Sequence, residues 1–247
     1  MCSSAWQVQI HGWASDLEHL ARHFASTPQR IVKDDRDGGF LYESESFEAC
    51  HKSDDVLKLA NDELRVLSGV LKITRDSPES LRTGAVYKSN ASGGRDVFVH
   101  IQETLNVRVE MGEVTVTATD SEGNMITRPT PPPRTVAITR LAVADPSVAK
   151  AMRLVASPDH KLWVGMYRIH EVIEADIGGE HALKKCGWGS ARDLKRFKHS
   201  ANSVTVAGDA ARHGKELDTP PTNPMSCDEA AAYLNYVLQS WLSSKGA

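Results

Sequence analysis

The chain has 247 residues, a formal net charge of −3 and 40% hydrophobic residues. That apolar content is too high for a disordered chain, the length allows one large or two smaller domains, and the near-neutral charge excludes a strongly basic nucleic-acid coat, though not a local basic patch. Cys2, Cys50, Cys186 and Cys227 are scattered without a CxxC pair, so neither a disulfide framework nor a zinc site is expected, and a reduced, cytoplasmic chain is the simplest expectation. The N-terminus MCSSAWQVQIHGW lacks a basic region followed by an apolar run. No segment approaches the roughly 20 apolar residues that span a bilayer. Neither a signal peptide nor a membrane partner is expected.

Trp6 to Ile10 alternates as a short strand does. Ser15-Asp16-Leu17-Glu18 reads as a capping box opening a helix to about Phe24, with Leu17, Leu20, Ala21 and Phe24 on its buried face. His19 and His23 stand one turn apart on it. The spacing supplies no acidic third ligand, so a solvated face is expected rather than a metal site. Arg30–Lys33 and Phe40–Glu43 read as strands joined by the turn-rich Asp34–Gly39, whose acids do not match a calcium loop. Ser53 caps a longer helix to about Leu71, with Val56, Leu59, Ala60, Leu64, Leu67 and Leu71 at helical spacing.

After Pro78, period-two alternation marks strands at Ala85–Lys88, Val97–Gln102, Leu105–Glu110 and Val114–Thr119, with turns at Gly93-Gly94 and Met111-Gly112. Val97, Val99 and Ile101 share one face of an expected half-buried antiparallel sheet. Residues 1–126 therefore read as an α+β domain, one sheet with two covering helices, suited to sensing or partner binding. Residues 127–135, containing RPTPPPR, read as a proline-rich, semi-rigid linker.

Beyond it the periodicity is helical. Asp145-Pro146 is an N-cap with proline at the first helical position. Leu162–Ile177 carries one apolar stripe (Leu162, Trp163, Met166, Tyr167, His170, Ile173, Ile177) and stops at Gly178-Gly179. His170 on that stripe reads as a hydrogen-bonded core histidine. Ser190-Ala191-Arg192-Asp193 and Ser226-Cys227-Asp228-Glu229 are capping boxes for two more helices. The last helix buries Tyr233, Leu234, Val237, Leu238 and Trp241. The fold class is thus α+β: an N-terminal antiparallel sheet with two helices, then a C-terminal all-α bundle over 136–247.

The polar chemistry concentrates in Ser190–Gly214. Leu194, Phe197 and Ala201 face the bundle, while Arg192, Arg196 and His199 fall at i, i+4 and i+7 on the polar side. Such a set suits an RNA phosphodiester. Arg192 would bind the phosphate and stabilise transition-state charge, and His199 would be the general acid or base. Arg196, Asn202, Asp209, Arg212 and His213 would position substrate. No metal or other cofactor is called for. One histidine is few for paired acid and base roles, and a homodimer would supply a second across its two-fold axis. His213 reaching toward His199 is the within-chain alternative. A different reading keeps the stripe structural, an ordinary solvated face or a set of cations holding acids such as Asp193 or Asp209.

Arg192-Asp193-Leu194-Lys195-Arg196-Phe197-Lys198-His199 resembles the short motif of the HEPN superfamily, an arginine, often followed by Asn, Asp or His, and a histidine a few residues on. Ala211-Arg212-His213-Gly214 is similar to the ending seen in some abortive-infection-type members. The resemblance covers about the last 100 residues. It implies a bacterial helical domain of toxin–antitoxin or antiphage type, a homodimer, and metal-independent endoribonuclease activity with RNA as partner. Because many superfamily members are inactive binding modules, the competing expectation is a non-catalytic interaction protein. In it, 190–214 forms a hydrogen-bonded network and the N-terminal domain docks a protein partner.

Overall fold

The computed structural model describes residues 5–90, 94–99, 132–213, 215 and 219–247. The chain divides into two compact units: Met1–Leu64 with Ser77–Val136, and Arg65–Asp76 with Ala137–Ala247.

The first unit is built on a five-stranded antiparallel sheet, β1 (Trp6–His11), β2 (Gln29–Lys33), β3 (Phe40–Ser44), β4 (Arg82–Ser89) and β5 (Arg95–Phe98), in the order β2-β3-β1-β4-β5. The central strand pairs Val8 with Tyr42 on one side and Val86 on the other. Side chains alternate across a strand, so Val8, Ile10, Ile31, Tyr42 and Val86 line one face, and all are buried. Buried Leu17, Leu20 and Phe24 from α1 (Ala14–His23) and Val56, Ala60 and Leu64 from α2 (Ser53–Arg75) complete this core.

Several local expectations are corrected here. Helix α1 starts at Ala14 with Trp13 at its N-cap and no side-chain capping bond, so Ser15 is helical and the first capping box does not form. Leu59 is only half-buried. Asp34 is not a solvated turn residue: it is 6% exposed, its Oδ2 pairs with Arg95 at 2.6 Å, and Arg95 stacks over Tyr87. Val97 and Val99 are 55% and 71% exposed, which reverses their expected burial. The strands at Leu105–Glu110 and Val114–Thr119, the turn at Met111-Gly112, Ile101 and residues 127–131 lie outside the described residues. Arg134 and Thr135, read as the end of the linker, open helix α3 (Arg134–Ala144).

The second unit is helical. The end of α2 and most of α3 join α4 (Pro146–Ala156), α5 (Trp163–Asp176), α6 (Glu180–Cys186), α7 (Ala191–Asn202), the single turn α8 (Val204–Ala207) and α9 (Cys227–Ser244). Asp145 Oδ1 accepts from the Ser147 and Val148 amides, so the Asp-Pro start of α4 is realised. Ser226 and Glu229 form the full reciprocal capping box of α9. Gly178 and Gly179, at φ +93° and +100°, end the α5 segment in a conformation that favours glycine. On α2, a Cβ at Gly69 would come within 2.0 Å of the Met152 carbonyl oxygen, so only glycine lets α2 and α4 approach this closely. The core is aromatic-rich, with Phe197 and Trp241 both fully buried.

Candidate functional site

Helix α7 begins where the sequence places it, but its capping box is incomplete. The Ser190 hydroxyl accepts from the Asp193 amide at 3.0 Å and donates to Asp193 Oδ2 at 2.7 Å. With the Asp193 carboxylate on the hydroxyl, no reciprocal bond to the Ser190 amide is made. The apolar face buries Leu194, Phe197 and Ala201 as expected. Phe197 is the hub of a ring cluster, stacked on Tyr167 at 6.0 Å and within 5.1 to 5.3 Å of His170 and Tyr233.

The polar face is less uniform than its spacing suggests. Arg192 is exposed. Arg196 is drawn into the chain: it donates to the Asn223 and Pro224 carbonyls at 3.3 and 3.0 Å and pairs with Glu229 at 3.3 Å. Asp193 Oδ1 lies 3.9 Å from its Nη1. His199 is half-buried, its Nε2 2.9 Å from the Thr219 carbonyl oxygen. A carbonyl only accepts, so this nitrogen carries the proton. Between these contacts the Ser200 hydroxyl accepts from the Met225 amide at 2.8 Å. One side of α7 thus holds the proline-broken 219–225 connection and the first turn of α9 in place.

The remaining expected residues lie elsewhere. Asn202 is half-buried, and its Oδ1 is buried and accepts no hydrogen bond among the described residues. The stretch after it, loop-like by sequence to Ala207, instead forms α8, and the short turn or helix that the sequence suggests from Gly208-Asp209 is a 3-10 turn at Gly208–Ala210. Asp209 is exposed on that turn. Arg212 does not pair with Asp209. Its guanidinium meets Glu171 at 2.7 Å and the Tyr167 hydroxyl at 3.4 Å, and lies 4.5 Å from the Tyr167 ring centroid. His213 is half-buried beside it. Arg196 and His199 therefore share the 219–229 segment, whereas Arg212 turns to α5.

Spacing alone misses a carboxylate cluster behind α7. Lys198 bridges Glu174 and Glu180, at 2.7 Å from each, and Glu180 also pairs with Lys184. The two lysine ammonium groups hold the Glu180 carboxyl down to about 2. Glu174 also approaches His170 Nδ1 at 3.4 Å. His170 is fully buried, and neither ring nitrogen makes a well-directed hydrogen bond, so the expected hydrogen-bonded core histidine is a core histidine without such a bond. Burial pushes its pKa down to about 4; Glu174 opposes the shift and Lys198 adds to it. The His170–Glu174 contact could have been found from its i,i+4 spacing, but the Lys198 bridge joins separate helices and leaves no local signal.

Among the described residues, no group of three or more His, Cys, Asp or Glu side chains is placed to hold a metal ion, and no helix is long and apolar enough to cross a membrane. Compared with protein-family models, curated proteins and solved structures, the chain matches none.

Proposed function

We propose that the chain is a non-catalytic interaction protein whose C-terminal unit is a HEPN-like helical domain. The observation carrying this reading is the engagement of three of the expected site side chains with their own fold. Arg196 is tied to 223–229, His199 to Thr219, and Arg212 to Glu171. A phosphodiester-cleaving site needs its cations and its acid–base group convergent on one open position. These groups instead point into two separate sets of intrachain contacts. Interaction with a protein partner, with the α+β unit contributing, is the role this arrangement suits.

A second reading is the metal-independent ribonuclease, acting as a homodimer on RNA. It is favoured by the exposure of Arg192 and by the state of His199, whose ring is half-exposed. With Nε2 donating to the Thr219 carbonyl, the ring's other nitrogen is left for a substrate contact.

The test is cleavage of a mixed RNA pool in chelator by the wild type and by His199→Ala. The interaction-protein reading expects no difference between the two and no cleavage above a buffer control. Cleavage by the wild type that is lost in His199→Ala, with fold and oligomeric state unchanged, overturns it in favour of the ribonuclease.

A further inference from the structure

An open groove of about 510 Å³ runs between α4 and α5, lined by Ser147, Lys150, Leu154, Arg168, Glu171, Val172 and Ala175. The α4 positions are spaced i, i+3 and i+7, and the α5 positions i, i+3, i+4 and i+7. Each set is one helix face about 10 Å long. Leu154, Val172 and Ala175 make an apolar floor. Lys150, Arg168, Glu171 and Ala175 are exposed, so one side lies open to solvent.

The charge on the rim is one-sided. Glu171 is neutralised by Arg212 at 2.7 Å. Arg168 has only a loose contact with Asp159, at 3.8 Å between two well-exposed side chains. Lys150 and Arg168 therefore leave the groove a net positive border over a short apolar floor.

We infer that this groove is the docking site for an acidic amphipathic helix of a partner protein. The inference rests on the interaction-protein reading and names the partner's chemistry. A helix laid in the groove would seat apolar residues at i, i+3 or i+4, and i+7 on the floor, a span of the same about 10 Å, and aim carboxylates at Lys150 and Arg168. A small anion fits less well. Small-molecule sites enclose most of the ligand and converge buried polar groups on it, whereas the Ser147 hydroxyl is already bonded to Asp176 and the border cations are solvated.

The experiment uses the full chain and a phage-displayed library of peptides about 15 residues long, near the length at which an isolated helix becomes viable. Their apolar face is fixed, and their other positions are drawn from Glu, Lys, Gln and Ala. Selection is on the wild type, and each enriched peptide is then measured against K150E/R168E by fluorescence anisotropy. Both substituted positions are exposed, and circular dichroism checks that the variant folds. The expected result is enrichment of glutamate on both flanks of the apolar face, with binding to K150E/R168E weaker by about tenfold or more. No enrichment, or enriched peptides indifferent to the charge reversal, overturns the inference. So do NMR shifts of Val172 and Ala175 with inorganic phosphate or hexanoate in place of peptide binding, which would mark a small-anion pocket. RNA cleavage lost in His199→Ala would overturn the interaction-protein reading alone, because no residue of α7 lines the groove.

Discussion

The two units handle charge in opposite ways. In the first, charged groups are buried in pairs around the sheet. Asp34 meets Arg95, and Glu43 meets Arg30 at 2.6 Å and Gln7 at 2.7 Å. Glu63 accepts from three hydroxyls, those of Tyr42, Ser44 and Ser46. In the second, the charges form shallow, half-exposed networks on helix surfaces, and the core holds rings with a single uncharged histidine among them. The lesson is that polar density in a sequence and polar burial in the fold are different quantities. Ser190–Gly214 is the densest polar stretch, yet the most deeply enclosed carboxylates among the described residues, Asp16, Glu43 and Asp34, belong to the unit whose sequence advertises no chemistry.

The comparison breaks first at the aromatic hub. Phe197→Ala removes a fully buried ring contacted by Trp163, Tyr167, His170 and Tyr233, and urea unfolding is expected to show a loss of about 4 kcal/mol from the helical unit. An effect under about 1 kcal/mol would mean that this core is not closely packed.

The histidine in that core gives the next effect. Its folded-state pKa of about 4 lies below the ordinary 6.5, so the unfolded chain takes up the proton first. His170 therefore leaves stability intact above about pH 6.5 and erodes it as pH falls toward 4, by about 3 kcal/mol across that gap. Unfolding measured over this window is expected to be flatter for His170→Phe than for the wild type. Parallel curves would show that the ring is hydrated.

In the first unit, Arg95→Met leaves Asp34 enclosed without its cation. Burial alone would raise the Asp34 carboxyl, but the Arg95 guanidinium and the Arg36 amide outweigh it and hold the pKa below its usual value. The substitution is expected to cost about 3 kcal/mol at neutral pH. The stability that Asp34 contributes is present above its unfolded pKa and lost as pH falls through the lower folded value, so the cost is expected to shrink in acid. The smallest effect is expected at Arg196→Ala, about 1 kcal/mol, because its partner Glu229 is half-exposed and screened. Hydrogen exchange is expected to quicken first at the Ser200–Met225 bond. A cost above about 3 kcal/mol at Arg196 would mean that the polar face of α7 behaves like the buried pairs of the sheet unit.

The elements that were legible rest on local signals. The Asp145-Pro146 start, the Gly178-Gly179 stop and the Ser226 box each work within a few residues. What failed was either cryptic locally or non-local. Trp13 rather than Ser15 sits at the N-cap of α1, a shift of two residues to a position whose side chain makes no capping bond. Asp34 reads as a turn acid because Arg95 stands 61 residues away. Arg196 and Arg212 read as available cations because their carboxylates, Glu229 and Glu171, are 33 and 41 residues distant. Helical phase placed Arg196 on a polar side. It carried no information on which segment would cover that side.

Helix α2 sets the order in which the protein can be completed. Its portion from Arg65 onward, with Asp76 just past its end, belongs with Ala137–Ala247, and all of Ser77–Val136 is made between them. During synthesis the apolar side of that portion, with Val66, Val70 and Ile73, emerges well before α4, whose backbone Gly69 fits against. It must wait, uncovered by its final neighbours, while the last strands of the sheet are translated. A proteolytic fragment beginning at Ala137 would inherit the opposite defect, a bundle with an open seam where α2 should lie.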